Sequence, residues 1–185
     1  MKRSSIDKII SYIGLVSAAV LLAASAVLYG TYLFIHNEVS TQLKPQNITL
    51  PAEGSAAFNA LPQADQDAVK PFAGQQVTTG QQAKVFADNY IGAHLQKIGG
   101  GKSYSELSAE SMANPSDAAL AGKVNTVFRG ETLRGILLNA YAFDTMAVVA
   151  KFVAAGALVA GVILVGLSIL GFQHAKKAAT PKRKK

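Results

Sequence analysis

The side chains able to do chemistry are few and widely spaced. His94, Asp88, Glu106 and Glu110 are the titratable candidates in the middle of the chain, joined by serines at 103, 105, 108 and 111. A catalytic metal needs three or four converging ligands, and a nucleophilic serine needs a base within hydrogen-bond reach. Asp88 and His94 stand six residues apart and point different ways on a helix, a poor geometry for one metal ion. His36 and Glu38 offer two further ligands, too few for a site. No G-x-S-x-G surrounds any of the serines, and Gly99-Gly100-Gly101-Lys102-Ser103 lacks the G-x-x-x-x-G-K spacing of a phosphate loop. Glu106 and Glu110 form an acidic pair that a helix cap and a solvated face account for. The chain has no cysteine, which removes disulfides, thiolate catalysis and Cys-ligated zinc or iron–sulfur centres. The expectation is a protein that is not an enzyme and holds no cofactor or metal.

These residues sit on amphipathic helices. Thr79 and Gln82 have capping-box spacing, and Gly99-Gly100-Gly101 supplies a stop. Between them Ala83, Phe86, Ala87, Tyr90, Ile91, His94, Leu95 and Ile98 recur with helical period on one side. Ser103 and Glu106 repeat the capping-box spacing, and a helical pattern with Leu120, Val124, Val127 and Phe128 precedes an interruption at Gly130. From 131 the pattern runs without proline to 172, which predicts one long helix. Residues 36–80 are punctuated by Pro45, Pro51, Pro62 and Pro71; two β-like pieces, 47–50 and 75–78, are spaced to pair as a short β-hairpin. An apolar pocket among Phe86, Tyr90, Phe128 and Leu133 is the best-placed ligand site.

Two stretches dominate the composition. Residues 152–172 contain no charge, and as a helix they are about 31 Å long, matching the ~30 Å hydrocarbon core of a bilayer. Residues 9–35 are likewise free of charge. Ala24-Ser25-Ala26 resembles a signal-cleavage site, but the apolar run continues nine residues past it, which favours an uncleaved anchor. Neither stretch carries an ionisable residue in its middle, which argues against a proton relay or ion path. Just outside the second stretch, Asp144 and Lys151 lie seven apart on one helical face; both are expected to reach water, the alternative being a pairing with each other through an intermediate group or with a partner subunit.

The net charge of +7 divides unevenly. Residues 1–11 carry +2 and 173–185 carry +6, while the region between the apolar stretches is −1. Basicity confined to two tails argues against nucleic-acid binding and fits a positive-inside arrangement with both termini cytoplasmic in the plasma membrane. Lys176, Lys177, Lys182, Arg183, Lys184 and Lys185 would meet anionic lipid headgroups. Small residues at i, i+4 spacing, notably Gly14 and Ala18, Ala26 and Gly30, Gly156 and Ala160, with Gly161, are candidates for helix packing between the stretches.

The segments LKPQNITLP, FAGQQVTTGQQAKVFADNYIGAHL, GGGKSYSEL and TVFRGETLRGILLNAYAF give the chain a resemblance over most of residues 10–172. It resembles small actinobacterial two-span membrane proteins often labelled aromatic ring-opening dioxygenase subunits. The resemblance implies the two-span topology. The enzyme name implies a ligand set such as two histidines and a carboxylate, which the stretch 37–150, with His94 as its one histidine, does not supply.

The expected fold class is therefore membrane, mainly α. A cytoplasmic head at 1–8 leads into a transmembrane helix at 9–35 and a mostly helical extracytoplasmic domain at 36–150. A second transmembrane helix at 151–172, continuous with the helix from about 131, ends in a basic tail at 173–185. The expected role is a non-catalytic accessory or structural subunit that docks on other membrane proteins of an envelope or respiratory complex. The alternative is an extracytoplasmic module binding lipid or a small apolar ligand.

Overall fold

The computed structural model describes residues 3–179, and it is mainly helical. Helix α1 is Arg3–Leu43, followed by the short helices α2 (Ala56–Asn59) and α3 (Gln63–Val69). Next come α4 (Gly80–Val85), a π-helical turn (Phe86–Ile91), α5 (Gly92–Gly99), α6 (Tyr104–Ala113) and α7 (Ala118–Ala179). Both α1 and α7 are long and apolar enough to cross a membrane. The chain divides into two compact units, one of residues 3–34 with 147–179 and the other Ile35–Met146.

The unit Ile35–Met146 has its own core. Val39 and Leu43 from the end of α1 join Leu50, Phe58, Leu61, Val69, Val77, Ala83, Val85, Ala87 and Leu137. Helix α1 thus runs eight residues beyond the end at 35 that charge and proline content predict. The apolar residues Ile35, Val39 and Leu43 recur one turn apart, and nothing breaks the helix before Pro45. The β-like pieces do meet, through Leu50 N–H to Gln75 O at 3.0 Å and Val77 N–H to Ile48 O at 2.8 Å. They form a single antiparallel bridge, Thr49 to Gln76, and no strand among the described residues. With two helices between its arms, the bridge is not a hairpin.

Both predicted capping boxes close, Thr79 with Gln82 and Ser103 with Glu106. The helix from 80 to 99 departs from its expected register. Its buried positions are 80, 82, 83, 85 and 87, then 92, 95 and 99. The five-residue step from 87 to 92 is the π turn, which rotates everything after it and leaves Ile98 exposed. Helix α7 starts at 118, well before 131, with Asp117 Oδ1 accepting from Leu120 N–H at 2.9 Å. Gly130 lies inside it. A Cβ there would come within 2.4–3.0 Å of the Leu95 side chain, so this glycine makes room for a packed neighbour and does not end the helix.

In the other unit, the segments of α1 and α7 pair antiparallel along a seam of small residues. On α1 the buried positions are Ser11, Ala18 and Ser25; on α7 they are Ala147, Ala154, Gly161, Ser168 and Ala175. Both series have a spacing of seven, the repeat of a left-handed helix pair. Gly14 faces Ser168, Gly161 faces Leu22 and the Ala18 carbonyl, and Gly171 faces Ser11. Ser25 Oγ donates to the Ala154 carbonyl at 2.8 Å, and Tyr12 meets Phe172 edge-on at 4.9 Å. Of the packing candidates, Gly14, Ala18 and Gly161 are in this seam, and Ala160 is half-buried. Ala26, Gly30 and Gly156 are exposed.

Alanine at the crowded Gly130 and at the open Gly135 should move stability in opposite directions. Gly130→Ala forces Leu95 to move and should lose about 1–3 kcal/mol. Gly135 has open space around it, so Gly135→Ala should raise stability by about 0.5–1 kcal/mol. Denaturant unfolding of the full chain in detergent measures both signs.

Candidate functional site

The unit Ile35–Met146 contains a polar cleft of about 430 Å³. The helical run 80–99, the Gly101–Ser103 turn and α7 form its walls, with Asp65, Asp88, Glu106, Glu131, Lys102 and Arg134 contributing charge. Arg134 is at its centre. Its Nε donates to the Ala87 carbonyl at 3.1 Å, Nη2 to Asp88 Oδ1 at 3.2 Å, and Nη1 to Glu131 Oε2 at 2.9 Å. The Ala87 carbonyl also accepts from the Gly92 N–H across the π turn. The second Asp88 oxygen takes Lys84 Nζ at 2.5 Å, and Asn89 Nδ2 donates to Asp65 Oδ1 at 2.8 Å.

Partial burial works to raise the Asp88 pKa, but hydrogen bonds and charge from Lys84 and Arg134 outweigh it and hold the carboxyl below the usual range. Lys84 is raised by its hydrogen bond to Asp88, against burial. Glu106 is lowered by the Ser103 N–H and then by the Ser103 hydroxyl, both at 2.7 Å. Ser103 is therefore a helix cap, and Lys102 pairs with Glu110. His94 Nδ1 donates to the Tyr90 carbonyl at 2.7 Å and its ring packs on Tyr90 at 4.6 Å. Among the described residues no three His, Asp or Glu side chains converge as a metal set.

The four apolar pocket candidates go to different places. Phe86 stacks on Tyr90 at 5.0 Å against the core, Phe128 packs with Tyr104 at 5.6 Å, and Leu133 is exposed. None of them lines the cleft. Of the basic tail, Lys176 and Lys177 occupy the end of α7 and are exposed; Lys182, Arg183, Lys184 and Lys185 lie outside the described residues.

Asp144 does not reach water as expected; it is 7% exposed. His36 Nδ1 donates to its Oδ1 at 2.8 Å, and the Gly80 N–H donates to its Oδ2 at 2.9 Å. A Cβ on Gly80 would lie 2.5 Å from the Asp144 Cβ and 3.0 Å from the Tyr141 Cα, so glycine is required. Lys151, by contrast, sits 5.1 Å over the Tyr32 ring. The sequence signal for Asp144 was slight: a lone acid in an apolar stretch. Arg134 carried none.

The chain matches no family model, no curated protein and no solved structure. The site thus stands on its geometry.

Two outcomes follow. Asp144→Ala should cost about 3 kcal/mol, because it strands the Gly80 N–H and the His36 donor together, and His36→Ala should cost less. Asp88 stabilises the fold above its unfolded carboxyl range and loses that contribution as pH falls through its lowered folded value. Asp88→Asn should therefore be less stable at pH 7, and its deficit should shrink below about pH 4 in unfolding curves taken across pH.

Proposed function

We propose that this chain is a non-catalytic, two-pass integral membrane protein, with both termini cytoplasmic and the unit Ile35–Met146 outside. In this reading it is an accessory or structural subunit that docks on a larger envelope or respiratory membrane complex. One observation carries the membrane part. Large apolar side chains stand on the outer faces of the paired α1 and α7 segments, including Ile13, Val16, Val20, Phe152, Val159 and Val162, each more than half exposed. Water would leave a contiguous apolar surface of that size uncovered, and lipid or a partner helix covers it. Small residues are spent inside the seam, which is how helices associate where the solvent itself is apolar.

The accessory role is favoured over a ligand-binding one by the placement of the aromatic residues. Phe86, Tyr90 and Phe128 are taken up in ring–ring contacts, and the cleft is polar, with Arg134 paired to Asp88 and Glu131. Lys176 and Lys177 at the end of α7 are suited to anionic headgroups, a contact that salt weakens.

The absence of native cysteine makes topology directly testable. Ser105→Cys should react with a membrane-impermeant maleimide on intact cells, and Lys177→Cys only after permeabilisation. The reverse pattern would overturn the orientation. Extraction in a gentle detergent should show the chain co-migrating with a complex much larger than itself; migration as a lone protein would overturn the accessory role.

A further inference from the structure

The unit of residues 3–34 and 147–179 contains a second hollow, of about 380 Å³, between its two helical segments. Most of its wall is aliphatic, with Ile10, Leu164 and Leu167, while Asp7, Ser11 and His174 stand toward the chain termini. Asp7 Oδ2 is buried and has no hydrogen-bond partner among the described residues. Ser11 does not serve it, because its hydroxyl donates to the Asp7 backbone carbonyl at 2.7 Å. A buried, unserved carboxylate oxygen is costly, and a bound donor is one way to resolve it.

The chemistry of that donor is constrained. A carboxylate oxygen only accepts, so the ligand must bring N–H or O–H groups. Asp7 and His174 are too few for a metal ion bound by the protein. The aliphatic wall calls for a ligand with a hydrocarbon part. On the two-pass reading, on which this inference rests, Asp7 lies two residues before the charge-free run that starts at 9, at headgroup depth. We propose that the hollow seats phosphatidylethanolamine, its primary ammonium donating to Asp7 Oδ2 and its upper acyl carbons lying against Leu164 and Leu167. Phosphatidylcholine has the same phosphate and chains, but its ammonium is fully methylated and has no N–H to give.

The full chain, reconstituted in nanodiscs, tests this. Discs with a constant phosphatidylglycerol background carry dioleoyl phosphatidylethanolamine and dioleoyl phosphatidylcholine in equal amounts. Native mass spectrometry then counts the lipid that stays bound. The wild-type chain should retain phosphatidylethanolamine about tenfold over phosphatidylcholine, and Asp7→Asn should bring the two close to parity. Leu167→Trp, which fills the hollow without touching the carboxyl, should lower retention of phosphatidylethanolamine as well. An unchanged thermal midpoint separates these losses from misfolding. Equal retention by the wild-type chain, or an Asp7→Asn chain that keeps its preference, would overturn the proposal. So would displacement by glycerophosphoethanolamine, which shares the headgroup and lacks the chains. A chain that fails to enter the discs would overturn the two-pass reading with it; one that enters and shows no preference overturns this inference alone.

Discussion

The unit Ile35–Met146 depends on one buried carboxylate. Asp144 draws a donor to each of its oxygens, and those donors come from segments 108 and 64 residues away in sequence. Burying a charge is tolerable only where its hydrogen-bonding capacity is filled, so the two contacts fix the positions of His36 and Gly80 on α7. Gly80 is also the first residue of α4, where the unpaired N–H groups and helix dipole favour a negative charge. The apolar core then closes around elements already held together: Val39 and Leu43 follow His36, Ala83 follows Gly80, and Leu137 precedes Asp144 by seven residues. Glycine at 80 is a steric requirement of this arrangement, since the carboxylate and the Tyr141 backbone occupy the space a side chain would need.

A different constraint shapes the other unit. If its surroundings are lipid, its two helical segments gain nothing from hydrophobicity by meeting, and close packing must supply the association. Every seventh residue along each segment is Ala, Gly or Ser, so the backbones approach closely enough for Ser25 to bond the Ala154 carbonyl. The i, i+4 pairs that stand out in the sequence describe a shorter contact, such as a helix crossing. A contact that continues from residue 11 to 25 must follow the longer repeat, because a straight helix drifts about 20° per heptad and must wrap to keep one face inward. This explains why Gly14, Ala18 and Gly161 lie inside, while Gly30 and Gly156, equally small, lie outside.

The sequence made the helical ends legible wherever a local rule governs them. The caps at Thr79 and Ser103 and the left-handed Gly100 follow from residues within a few positions of the termini. Helix lengths were less legible. Gly130 reads as a stop when considered locally, yet it is a packing site for Leu95, which is 35 positions away. The π turn left no composition mark: 86–91 contains neither proline nor glycine, and the turn meets α7 through Arg134, 47 positions from Ala87. Asp144 was visible as an oddity, but its partners could not be read from spacing. The cleft was invisible for the same reason, since its charges come from four separate segments. Local chemistry is written in neighbouring residues; burial and pairing depend on where the chain returns.

The cleft is the natural place to look for a reaction, and a π turn in its wall strengthens that expectation, since such turns recur at functional sites. Its central hydrogen-bonding groups are already engaged. Catalytic groups need unused capacity: a base with a free lone pair, or donors aimed at a place where charge develops. Arg134 directs Nε, Nη1 and Nη2 at Ala87, Glu131 and Asp88 respectively, and both oxygens of Asp88 are taken. The Ala87 carbonyl accepts both the Gly92 N–H of the π turn and Arg134 Nε, so the distortion and the contact belong to one packing arrangement between the helical run 80–99 and α7. Held at its start by Asp144 on Gly80 and near its middle by Arg134 on Ala87, that run has little freedom to shift along α7. Such a clamp gives the wall of the cleft a fixed shape.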